Sequence, residues 1–283
     1  MQHRASTSEA PRERSPAVIL WHTLLRAIAV LNLVLWSVSV IAVTSAPDVT
    51  LAGTTVYPRL QLLLSGLYML GCAFRSLLPV YDIPRLVLVD SRLSSVAVGR
   101  SVATVAELSF AAQWALILHQ LALMSHSPFV HGVSIAIVPL IAFAQCCCWH
   151  AVLTTAQRGH IVENSIWGLG AALVVASLWA MGPRSLAELY PPTLAWCIGG
   201  IAYALFMFIF DVPMYWARWR ADEAVGRQYL SFAQGFADVS RRWTVSYRWE
   251  DWKSEVLWMS AYFAAGVWIS ISLVYASIAL GEH

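Results

Sequence analysis

The chain has 283 residues, 59% hydrophobic and 12% charged, with a mean hydropathy of +0.63. An ordinary soluble domain is about 45–50% apolar and about 25% charged, so this charge cannot cover a soluble globule of 31.3 kDa. Disorder is excluded by the same figures, and a formal net charge of +2 offers nothing for nucleic acid to bind.

A membrane helix needs about 20 mostly apolar residues to cross about 30 Å of hydrocarbon. Residues 1–16 are polar and read as a flexible cytoplasmic tail. The first apolar stretch, 20–46, contains Arg26, whose long side chain can snorkel. It is too long for a removed signal peptide and lacks a small-residue cleavage site. Residues 54–75 form a second stretch. Residues 100–125 and 129–156 form two more, broken at His126-Ser127-Pro128-Phe129. The last three are 163–183, 190–215 and 254–281. The predicted fold is all-α: a polytopic membrane protein whose residues 17–283 form a single domain of seven transmembrane helices.

Basic residues set the expected orientation. With the N-terminus in the cytoplasm, fifteen of the 18 fall inside, and only Arg59 and Arg184 fall outside. That asymmetry predicts a cytoplasmic N-terminus and an external C-terminus, in a plasma or bacterial inner membrane. All five cysteines lie within spans, and no CxxC pair is present.

Between the sixth and seventh spans, residues 217–252 read as a structured cytoplasmic segment. Val225, Tyr229, Phe232, Phe236, Val239 and Trp243 recur at steps of three and four, the mark of one helix face. An amphipathic interfacial helix is expected there, its stripe meeting either acyl chains or the protein's own helix ends. Residues 79–95 read as a second surface element. Trp216, Trp219, Trp243, Trp249 and Trp252 cluster at this boundary and read as interfacial anchors.

Ionisable groups inside spans are costly, and each is a functional candidate. At about 1.5 Å per residue, Glu107 and His150 lie at similar depth near the cytoplasmic side. His160, Glu163 and Asn164 open the fifth span, with His160 following Gly159 in a loop. Asp211 lies near the end of the sixth, and Glu255 opens the seventh, balancing Lys253. This shared level predicts a polar pocket. Each group also has a plainer use: Glu107 can pair with Arg100, Glu163 or Asn164 can cap a helix start, and Asp211 can pair with Arg218.

The expected chemistry is that of an integral-membrane enzyme acting on a lipid-soluble, lipid- or isoprenoid-like substrate from the cytoplasmic leaflet. Glu107 and His150 form the expected acid–base pair. Glu163 and Asp211 orient it or stabilise charge, and Asn164 and Trp167 contact substrate. A metal, if used, would draw on His150, His160, Glu107, Glu163 and Asp211. Cys146-Cys147-Cys148 reads as packing, because adjacent helical residues point about 100° apart and cannot converge on one ion. No motif names a cofactor. A proton- or cation-coupled transporter or channel, and a sensor or assembly factor docking a protein partner at the cytoplasmic face, are the alternatives. Lys253, the sole lysine, lies at a helix end, which disfavours a retinal-type receptor.

Overall fold

The computed structural model describes residues 14–45, 56–185 and 190–281. The expected tail over residues 1–13 lies outside them. Seven helices are long and apolar enough to cross a membrane. They are α1 (Pro16–Ser45), α2 (Val56–Leu77), α3 (Val96–Ser125), α4 (Pro128–Thr154) and α5 (Arg158–Ser185), followed by two compound spans. Span six joins α6 (Tyr190–Phe206) to α7 (Val212–Ala224) through a π-helical turn, Met207–Asp211. Span seven joins α9 (Trp249–Ala261) to α10 (Val267–Gly281) through a second π turn, Tyr262–Gly266. The short α8 (Phe232–Arg241) lies between these two spans.

Local chemistry explains the breaks. His126 ends α3 in the left-handed region (φ 53°), and the Ser127 hydroxyl caps α4 by accepting from the Val130 N–H, with Pro128 at the first turn. Thr155, also left-handed (φ 63°), separates α4 from α5. In span six, Pro213 lacks the N–H that would bond the Ile209 carbonyl, and the ladder widens at that turn.

One apolar core gathers Trp114, Ile117, Leu121, Val133, Leu178 and Trp196. Another, around α1, α2 and span seven, gathers Trp21, Leu25, Tyr68, Met69, Trp252 and Phe263. Trp252 is fully buried, donates its indole N–H to the Ser246 carbonyl and lies 5.5 Å from the Trp21 ring. It is a core residue, not the expected interfacial anchor.

The stretches after α2 and after α8 add what helix periodicity does not show: three two-residue strands. β1 (Val80–Tyr81) pairs antiparallel with β2 (Leu86–Val87), and β2 pairs parallel with β3 (Thr244–Val245). Arg85 locks this sheet to the bundle. Buried and at φ 74°, it donates to Asp238 Oδ2 (2.9 Å), the Asp82 carbonyl (2.7 Å) and the Val152 carbonyl (2.6 Å). Removing these charge-assisted bonds costs about 2 kcal/mol. Arg85→Ala should therefore lower the unfolding temperature of the detergent-solubilised protein while leaving its helical content intact. An unchanged temperature would mean that the clamp is energetically idle.

Residues 217–252 do not form one helix. α7 runs on to Ala224, Gly226 turns the chain at φ 61°, and α8 starts afresh from a Ser231–Gln234 capping box. The apolar stripe is thereby divided. Gly235 and Val239 are buried where α8 meets the end of α4, whereas Phe232 and Phe236 stay exposed.

Candidate functional site

Six spans, α2 through span seven, bring polar side chains to one cavity of about 310 Å³ at the arginine-rich end of the bundle. Glu107, Glu163, Asn164, Trp167 and Asp211 all line it, together with His160 and Glu255. The expected layer exists, but its internal pairing differs from expectation.

Glu107 is held by the α3–α4 pair. Its Oε2 accepts from Arg100 Nη2 at 2.7 Å and from Gln145 Nε2 at 2.5 Å. Arg100 also donates to Gln145 Oε1 (2.9 Å), which accepts from Thr104 (3.2 Å); Thr104 in turn receives the Trp149 indole at 3.0 Å. Seven residues are two helical turns, so Arg100 and Glu107 share a face. Held through Oε2 by both donors, Glu107 is an anchored counter-ion of Arg100.

His150 is not its partner. It is exposed at the end of α4, with its ring 5.7 Å from Phe232 of α8 and outside the cavity. The physical reason is rotational. Gln145 and Cys148 occupy the inward face of α4, and two further residues turn His150 about 200° away.

His160 takes the place expected for His150. It sits in the first turn of α5, buried, not in a solvated loop. Its Nδ1 lies 2.8 Å from Glu163 Oε2, one turn along, and its ring packs 4.8 Å from Tyr215. Glycine at 159 permits this placement. A Cβ there would stand 2.3 Å from the Cys147 carbonyl oxygen, so only Gly lets α5 approach α4 this closely. The same approach puts Cys148, buried, beside His160 and Glu163. Cys148 therefore lines the cavity and is not mere packing, and its i, i+3 relation to Gln145 places both on the inward face of α4.

Across the cavity, Asp211 Oδ2 accepts from Asn164 Nδ2 at 2.6 Å, bridging spans five and six. Asp211 is the last residue of the π turn, and π turns recur at functional positions because they redirect side chains. Glu255 is not balanced by Lys253, which pairs with Glu250. Instead it lines the cavity near Tyr81 and Arg218. Burial, followed by the nearby Glu255 charge, pushes the Tyr81 phenol above its ordinary value. Tyr81 thus remains a hydrogen-bond donor at neutral pH.

A second, apolar chamber of about 370 Å³ adjoins the first. Trp167, Tyr203, Trp258 and Tyr262 line both. Beyond them the wall combines rings, such as Trp114 and Trp196, with small residues from spans five, six and seven. Ala202, Ala261 and Ala265 line this chamber and are exposed. Farther toward the other end, Gln113 joins α2, α3 and span seven by hydrogen bonds. Gln113 donates to the carbonyls of Gln61 and Ser270, and its Oε1 accepts from the Ser270 hydroxyl.

Searches of protein-family models, of curated proteins and of solved structures found no match to this chain.

Proposed function

We propose that the chain is an integral-membrane enzyme that binds an amphiphilic, lipid-soluble molecule across the two chambers and transfers protons at its polar end. The observation that carries this reading is the junction itself: a polar, ionisable cavity opening onto an apolar chamber through four shared aromatic residues. Small-molecule sites have this character, apolar walls with a few convergent polar groups. The tail or ring system lies between spans six and seven, reached from the bilayer past Ala202, Ala261 and Ala265. The head lies among His160, Glu163, Asn164 and Asp211, and Trp167 contacts the substrate at the boundary.

His160 and Glu163 serve as the acid–base pair. A carboxylate at Nδ1 fixes the imidazole tautomer and leaves Nε2 as the proton acceptor, the arrangement used wherever a histidine base is oriented by an acid. Asp211, oriented by Asn164, stabilises positive charge that develops on the substrate. The arginine-rich end faces the cytoplasm, following the positive-inside bias, with the exposed Phe232 and Phe236 of α8 resting in the interface. The chamber beyond the polar cavity is lined mainly by apolar side chains and offers an ion few ligands, which weighs against a transporter.

Filling the apolar chamber tests the reading. A Cβ at Gly199 would have no neighbour closer than Ile269 Cδ1 at 4.0 Å, so a larger side chain enters the chamber without striking backbone. Native mass spectrometry of the protein purified in nanodiscs should show a one-to-one amphiphile in the wild type. Gly199→Phe should reduce its occupancy at least tenfold, with the melting temperature preserved. Equal occupancy in both proteins would place the bound molecule elsewhere and remove the main support.

A further inference from the structure

The geometry points to a binding site for one divalent cation of the zinc class at Cys148, His160 and Glu163, between spans four and five. One ligand atom from each residue lies within 4.8 Å of the other two, and all three side chains are buried. A tetrahedral ion with bonds of about 2.0–2.3 Å holds its ligand atoms roughly 3.3–3.8 Å apart. Side-chain rotations of about an ångström therefore close the site, because the close α4–α5 contact at Gly159 has already set the backbones. The thiol, imidazole and carboxylate form a donor set of intermediate softness. That set favours Zn²⁺ over Mg²⁺ or Ca²⁺, which prefer oxygen alone. Three protein ligands leave a fourth position toward the cavity, as catalytic zinc sites do.

The charge of the cavity points the same way. Its lining carries five carboxylates, on Asp82, Glu107, Glu163, Asp211 and Glu255, against the guanidinium groups of Arg75, Arg100 and Arg218. Two negative charges are left without a counter-ion in a setting where unpaired charge is expensive. A dication would offset part of this excess: with Cys148 ionised as a ligand, the formal balance moves from −2 to −1. Binding releases the thiol proton to solvent, while the imidazole stays neutral: its one proton remains on the ring nitrogen that does not ligate, and Glu163 ligates as the carboxylate. Gln157 Oε1 and Arg100 Nε, buried on lining residues without a hydrogen-bond partner, can serve a ligand at the open position. The site rests on geometry and not on the enzymatic reading of the cavity; with an ion held, His160 and Glu163 would be its ligands, and the acid–base role proposed for them belongs to the metal-free protein.

The test is zinc-edge X-ray absorption on the full chain in nanodiscs, stripped of metal and reloaded with one equivalent of Zn²⁺. The expected shell has one sulfur at about 2.3 Å and nitrogen or oxygen neighbours at about 2.0–2.1 Å. Cys148→Ser should lose the sulfur scatterer, while Cys146→Ser and Cys147→Ser should keep it. Zinc lost on desalting, a shell without sulfur, or a sulfur that disappears with Cys146 or Cys147 would overturn the site. The wild-type spectrum is decisive even if a variant fails to fold. Because no turnover is measured, failure here leaves the acid–base proposal standing, and an inactive protein that holds zinc leaves this site standing.

Discussion

Glu163→Gln is expected to lower conversion of the bound amphiphile by about 10²–10⁴-fold, the usual contribution of a positioned acid–base group. The change is nearly isosteric and leaves an amide oxygen to accept from His160 Nδ1, so the helix and the bound molecule should remain. What is lost is the charge that orients and stabilises the protonated imidazole. Mass-spectrometric conversion of the co-purified molecule, followed against time in nanodiscs, gives the readout. The companion is Glu107→Gln, which removes a counter-ion that lies under Arg100 and Gln145. It should cost more stability than activity. Turnover within threefold of wild type in Glu163→Gln, or a larger kinetic effect in Glu107→Gln, would move the chemistry away from His160 and Glu163.

Arg100→Ala should destabilise the protein by about 3–5 kcal/mol, the cost of leaving one partner of a buried pair uncompensated. Arg100 and Glu107 are both nearly inaccessible, at 5% and 8% exposure, so water cannot replace the lost guanidinium. The double variant Arg100→Met/Glu107→Leu should recover most of the loss, because apolar replacement of both partners is often neutral. Unfolding in detergent mixtures measures all three. A single variant that costs less than about 1 kcal/mol would show that Glu107 has other sufficient partners. A double variant as unstable as the single would show that the pair also anchors Gln145 and Asp82.

Why was the layer legible while its pairing was not? Depth follows from counting along an apolar run, so Glu107, Glu163, Asn164, Trp167 and Asp211 could be placed at one level from their positions alone. Facing does not follow. A helix apolar all round carries no stripe to mark its inward side, and α4 is such a helix. His150 and Cys148 are two residues apart at nearly equal depth, yet one meets Phe232 outside and the other joins the cavity. The α8 region failed differently. Its three-and-four spacing was genuine, but a turn at Gly226 interrupted it, and the half carrying Val239 is buried against the bundle. Strands of two residues are too short to leave a period in the sequence.

The small sheet has a consequence for how the protein is made. β2 is translated before α3, but its parallel partner β3 follows span six, more than 150 residues later. Arg85 likewise waits for Asp238. Since chains emerge N-terminus first, the first four spans can insert and pair while the three-stranded sheet is still incomplete. The sheet is therefore among the last parts of the fold to assemble. A chain truncated before Thr244 would lack β3 and the whole of span seven, and with it Glu255 of the charged layer.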